Sequence, residues 1–261
     1  PTDKLVDPGL LKSVSVLTGP LASLEHGSGI AGGTVAMRTI DGADLTGDTP
    51  GMRFRQLLGA SSNGRGWVTS STFAWQPSRR VDFLLNHTRR ARDEPKDGAG
   101  VATGAVGFNV PSILFKARLR LDDAHSLTFS LDRSTSAERD VPYGQSTGTA
   151  TFGNVNRDRQ GTVGALAWNW DPAGNDLIDM ELRASRSRQR IDVTAIDPGS
   201  FAARLWAGLY DLEQDRVTLK NTARFDTGPV RHTLRAGLDW SQQEKTMLRA
   251  PATNTTPSGK L

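Results

Sequence analysis

Residues 7–45 read DPGLLKSVSVLTGPLASLEHGSGIAGGTVAMRTIDGADL, and the rest of the chain is arranged around them. Pro8 opens a short amphipathic turn through Leu10, Leu11 and Lys12, where its fixed φ and missing N–H cost nothing. Val14, Val16 and Leu17 form a short apolar strand that Gly19-Pro20 ends. A helical piece over 21–25 runs into the glycines 27, 29, 32 and 33, and a strand over 34–39 follows. The predicted order is turn, strand, helix, glycine loop, strand.

Downstream the pattern changes to repeated hairpins. Nine strands are predicted, over 52–59, 67–75, 81–90, 113–121, 127–133, 162–170, 177–188, 216–225 and 230–240. In the last, Val230, His232, Leu234, Ala236, Leu238 and Trp240 alternate with Arg231, Thr233, Arg235, Gly237 and Asp239. Strands of about 9 to 11 residues with this period suit a bilayer crossing at a steep tilt. Tight turns at 76–78, 122–124, 171–175 and 227–229 alternate with long loops over 92–112, 134–160 and 191–215. That asymmetry belongs to outer-membrane barrels and counts against a soluble sandwich. Trp75, Trp170 and Trp240 stand at strand ends, where interfacial aromatics gather. The expected fold class is mainly β: an antiparallel transmembrane β-barrel, incomplete at about nine strands.

Three spaced motifs carry a resemblance. D-P-x-L-L-K-x-V-x-V-L-x-G-P from Asp7, G-S-G-x-x-G-G-x-V from Gly27 and R-T-x-D-x-A-D-L from Arg38 together resemble the C-terminal part of the plug domain of TonB-dependent outer-membrane receptors. The last most resembles the haem and haemoglobin receptor branch. The resemblance implies an α+β plug inside a barrel of about 22 strands, so residues 1–48 would be the end of the plug and 49–261 the start of the barrel. Nine strands cannot close such a wall, and an open edge in lipid leaves backbone groups unpaired. The chain is therefore expected to be a fragment. The signal peptide and the motif that an inner-membrane TonB-type energy-coupling protein pulls are expected upstream of Pro1.

Function follows from the same resemblance. The expected job is energised import across the outer membrane of a Gram-negative bacterium, with haem, taken free or from a haem protein, first and a ferric siderophore second. Haem or the ferric chelate is then a transported ligand, and no prosthetic group is expected. Outer-membrane lipid is the surrounding partner. In receptors of this kind, haem iron is held between a plug histidine and a second histidine on an external loop. His26, immediately before the apical loop residues Gly27, Ser28 and Gly29, is the candidate axial ligand, and imidazole suits iron. The long loops hold no histidine, which leaves Tyr143 and Tyr210 as weaker loop candidates. Asp41 and Asp44, with Arg38, either lie in a solvated linker or form a polar latch. In the latch, plug carboxylates pair with the inward Arg53, Arg55, Arg118, Arg120, Arg183 and Arg235.

Other classes lack their marks. Lys and Arg total 32 against 28 Asp and Glu, but the basic residues form no run and do not interleave with aromatics, so nucleic acid is not an expected partner. Cysteine is absent, which removes disulfides and thiolate sites. Gly27 to Gly32 matches G-x-G-x-x-G, yet a β-prone stretch follows where a nucleotide-binding helix is needed. Gly144 to Gly148 matches G-x-S-x-G without the following helix of a nucleophile elbow. No acid, base and nucleophile converge, so no enzyme activity is expected. Of the histidines, His87 and His232 fall on apolar strand faces and His125 in a turn, where a structural role is ordinary and no zinc set forms. Asp122-Asp123 reads as Asx-turn chemistry. A passive outer-membrane channel would leave the stretch 7–45 unexplained, and a soluble β-rich adhesin would leave the apolar outward faces unexplained.

Overall fold

The computed structural model describes residues 7–19, 32–102, 107–143, 153–196, 200 and 205–249. Asp7 caps a 3-10 turn, Pro8–Leu10, its carboxylate accepting from the Gly9 N–H at 2.6 Å. Strands β1 (Leu11–Thr18) and β2 (Gly33–Thr39) pair antiparallel as a separate two-stranded ribbon. A short helix, α1 (Gly42–Thr46), follows; Gly47 at φ +71 ends it in the left-handed conformation that glycine adopts without strain. No helix over 42–46 is expected from the sequence, because Gly42 and Gly47, with Asp44 between them, read as linker. What organises it is local: the Asp44 carboxylate accepts from the Asp41 N–H at 2.8 Å, at the positive end of the turn.

Nine further strands form one sheet in sequence order, each antiparallel to its neighbours: β3 (Gly51–Ser61), β4 (Gly66–Ser78), β5 (Val81–Arg92), β6 (Phe108–Arg120), β7 (His125–Pro142), β8 (Asn154–Trp170), β9 (Met180–Ala195), β10 (Gly208–Thr227) and β11 (Val230–Arg249). All nine expected strands are present, and β3 and β11 are the edges of the sheet among the described residues. The turn at Asp122 is an Asx turn as expected, its carboxylate accepting from the N–H groups of Ala124 and His125 at 2.8 and 2.7 Å.

The strands run further outward than the hydropathy pattern indicates. β7 to β11 have 16 to 20 residues, so most of the expected loops over 134–160 and 191–215 is paired strand. Apolar alternation stops partway along these strands, but hydrogen-bond pairing does not, because cross-strand ion pairs hold the hairpins together beyond it. Arg188 on β9 and Asp211 on β10 are one such pair, and Arg157 on β8 with Glu138 on β7 is another.

The two faces of the sheet differ. On the face turned away from the ribbon, Phe54, Leu58, Leu182, Leu234, Leu238 and Trp240 are exposed, with Leu238 at 74%. Among the described residues these side chains meet no second sheet, so they do not form the dry interior of a sandwich. An apolar face this extensive suits lipid. Toward the turn end of that face Trp75 stacks on Phe83 at 5.5 Å and His125 on Trp168 at 5.6 Å, while Trp67 lies under Arg89 at 5.4 Å toward the other end. The opposite face carries polar residues and receives the N-terminal unit.

Candidate functional site

Two places on the inner face gather functional side chains. The first is the seam between the N-terminal unit and β4 to β6. Its apolar part is small: Leu10 of the 3-10 turn, Leu84 of β5 and Leu114 of β6 are buried together, flanked by Ile40 and Leu45. Around them the contact is polar. Lys116 of β6 pairs with Asp41, the two side chains only 13% and 14% exposed, and its ammonium also donates to the carbonyls of Thr39 at 3.1 Å and Ile40 at 3.2 Å. An ammonium has three N–H donors, so every one is used.

Arg118 donates to buried Asp82 at 2.7 Å and stands 4.0 Å from Asp41, while the other oxygen of Asp82 accepts from the Ala43 N–H at 3.3 Å. Arg120 meets Asp48 at 2.9 Å, Thr46 bonds to the buried Gln76, and Gln76 donates to Asp48 at 3.2 Å. The Arg120 guanidinium first, and then the Gln76 amide, hold the Asp48 carboxyl below its ordinary range. Asp44 is also lowered: partial burial opposes this, but the Asp41 N–H and the Lys12 ammonium at 2.6 Å outweigh it. Gly42 permits the close approach of α1 to the wall, since a Cβ there would lie 2.5 Å from the Phe83 carbonyl oxygen.

The expected latch residues therefore divide. Arg118 and Arg120 pair with carboxylates of the unit, and Arg55 donates to the Gly9 carbonyl at 3.0 Å. Arg53 instead folds onto its neighbour's carbonyl, that of Met52, at 2.9 Å. Among the described residues, the carboxylates of the unit pair with Lys12, Arg90 and the β6 cations. Lys116, Asp82 and Gln76 belong to the seam as well, though the sequence context of the last two does not mark them. Lys116 was within reach of the pattern, since it sits two residues before Arg118 and so shares its face.

The second place is the far end of β7 to β10. Val141, Val155 and Val193 are buried there, packed by Tyr143, Ile191 and Tyr210. Tyr143 stacks on Trp206 with centroids 4.7 Å apart, and the Tyr210 hydroxyl donates to the Trp206 carbonyl at 2.6 Å. Beneath them Glu138 holds Arg157 at 3.1 Å and Arg159 at 3.6 Å, all largely buried, and Arg157 donates to the Tyr143 carbonyl at 2.7 Å. Burial pushes both phenols above their ordinary range, and for Tyr143 the neighbouring Tyr210 adds to it. Tyr143 and Tyr210, which the sequence offers as separate loop residues, thus belong to one aromatic cluster. His26, Gly27, Ser28 and Gly29 lie outside the described residues.

No family model matches the chain. The chain is 24% identical over 265 residues to a hemin receptor of Yersinia pestis, covering 98% of this chain and 36% of that protein. To a hemin receptor of Yersinia enterocolitica it is 29% identical over 280 residues, covering 94% and 38%. The chain thus spans between a third and two fifths of the length of these curated relatives. Among solved structures, it superposes on the hemophore receptor HasR of Serratia marcescens, solved with the hemophore HasA and haem, with a TM-score of 0.71 at 18% identity, covering 92% of this chain and 34% of that one. The FrpB iron transporter of Neisseria meningitidis gives 0.76 at 18%, covering 93% and 38%, and the siderophore receptor PiuA of Acinetobacter baumannii gives 0.70 at 16%, covering 92% and 36%.

Proposed function

We infer that this chain is the plug-to-barrel segment of a TonB-dependent outer-membrane receptor that imports haem across the outer membrane of a Gram-negative bacterium. The observation that carries this reading is the seam of Lys116–Asp41, Arg118–Asp82 and Arg120–Asp48, which seats a ribbon-and-helix unit on the polar face of a sheet whose other face is apolar and exposed. A passive channel has no use for such a stopper. The two hemin-receptor relatives, which match nearly the whole chain, support haem as the ligand.

In this reading residues 1–48 end the plug and 49–261 begin the wall. Ligand settles on the plug apex and the external loops, and a TonB-type protein of the inner membrane pulls the plug. A polar seam suits that cycle. Its ion pairs and hydrogen bonds can be exchanged one at a time for bonds to water, so the unit can slide or tilt without exposing a large apolar interface. His26 is the proposed axial ligand from the plug apex. Tyr143 and Tyr210 are better suited to flank a flat ligand than to ligate iron, since a ligating phenolate needs a lowered pKa and the Tyr210 hydroxyl is engaged by Trp206.

A siderophore is the second reading, favoured by PiuA, whose fold similarity nearly equals that of HasR. The test is haem titration of the full-length receptor in detergent, beside His26→Ala. Haem import predicts a Soret shift that His26→Ala weakens. No Soret change in the wild type, with ferric siderophores binding instead, would transfer the function to the second reading.

A further inference from the structure

On the lipid-facing side, a shallow groove of about 370 Å³ crosses β7 to β10. Its cause is a pair of missing side chains. Gly164 and Ala184 are diagonal neighbours on β8 and β9, because Leu166 faces Ala184 and Gly164 faces Arg186 across the ladder. Phe129, Leu166 and Val217 rise around them, each 40% to 50% exposed, so the floor is low and mostly apolar, with Arg186 and Asp215 closing it on the β9–β10 side.

The upper end of this trough is cationic. Arg133, Thr162 and Arg188 stand opposite one another in a single row across β7, β8 and β9, one step above Gly164. Arg188 leans toward β10, where it meets Asp211, and Glu213 at 3.3 Å; Arg186 also turns to β10, meeting Glu213 at 2.7 Å and Asp215 at 3.8 Å. All three carboxylates thus lie on the far side of the β9 arginines. On the near side Arg133 is exposed and makes no ion pair among the described residues, leaving Thr162 flanked by a free guanidinium and the edge of another. Arg133 is the ninth residue of β7, and about nine to eleven residues of a tilted strand cross a bilayer's apolar band, so the row stands near its outer margin.

We propose that this trough seats a phosphorylated glycolipid of the outer leaflet, an acyl chain over Ala184 and Gly164 and a phosphate at Thr162 between Arg133 and Arg188. The proposal rests on the membrane-barrel reading and is continuous with the lipid-facing surface. An apolar slot supplies no headgroup preference by itself; a guanidinium presents paired N–H donors that match phosphate oxygens, and it does so most strongly where lipid excludes water. The partner is therefore selected by its head and accommodated by its tail.

The test uses the full-length receptor extracted from outer membranes in mild detergent and examined by native mass spectrometry. Wild type is compared with Arg133→Gln, Gly164→Phe, which fills the trough, and Ala117→Phe, a lipid-facing control on β6. Diphosphoryl lipid A is added back, and separately its dephosphorylated form and inorganic phosphate. The expected result is a retained diphosphoryl lipid A in wild type and Ala117→Phe, with affinity reduced by about tenfold in each groove variant. Equal retention by wild type and Arg133→Gln, equal binding of the dephosphorylated form, or an Arg133-dependent response to inorganic phosphate alone that matches the lipid's would each overturn it. Should Gly164→Phe fail to assemble, Arg133→Gln decides alone. Recovery of the receptor in a fraction other than the outer membrane would instead sink the barrel reading.

Discussion

Lys116→Met removes the cation on which the seam between the N-terminal unit and the sheet turns. In the native arrangement its ammonium satisfies the Asp41 carboxylate and the carbonyls of Thr39 and Ile40, all nearly out of contact with water. Removing one partner of a buried ion pair costs about 3–5 kcal/mol, because the surviving charge stays desolvated. Here the cost is reduced, since Arg118 stands 4.0 Å from Asp41 and can close on it, and because both side chains keep some exposure. A cost of about 2–3 kcal/mol remains, which raises the local opening equilibrium of the unit about 30- to 140-fold. Native-state hydrogen exchange reads this directly. In the full-length protein, amides of residues 39–47 should lose protection by that factor, while amides of β8 and β9 keep theirs. Adding Asp41→Asn should restore part of the loss, because the orphaned charge is then gone. A change below about threefold at 39–47, or a double variant with strictly additive losses, would refute the assignment of Lys116 as the anchor of this seam.

Gly42→Ala should loosen the same segment by about 1–3 kcal/mol, since the new Cβ meets the Phe83 backbone oxygen at 2.5 Å; exchange at residues 41–47 checks it. The Asp48 carboxyl is held below its ordinary value, so its contribution to the seam is complete above pH 4 and lost as pH falls through the lowered pKa; acid titration of exchange at 46–48 should show loosening only below about pH 4, absent in Asp48→Asn. Tyr143 and Tyr210 are raised, so the stabilisation they contribute is complete below pH 10 and declines as pH rises further. Absorbance titration of the phenols should show two that ionise late, one of which Tyr143→Phe removes.

Much of this protein follows from local patterning. Period-two alternation in stretches such as 230–240 assigns each side chain to one of two faces whatever the neighbours are, because successive residues of an extended chain point opposite ways. Turn residues then set where the chain reverses: Asp122 and Gly228 act through their own backbone within a few residues. The nine strands, their order and the lipid-facing side are therefore legible in the sequence. Three things are not. The outward extension of β7 to β11 depends on ion pairs between residues far apart in the chain, such as Arg188 with Asp211, whose register no single strand encodes. The gathering of Tyr143 and Tyr210 requires β7 and β10 to be brought together at one end, across two intervening strands. The seam is the clearest case. Lys116, Asp82 and Gln76 look like ordinary inward polar residues until α1 is laid against them, and only that approach removes water and makes each charge depend on its partner.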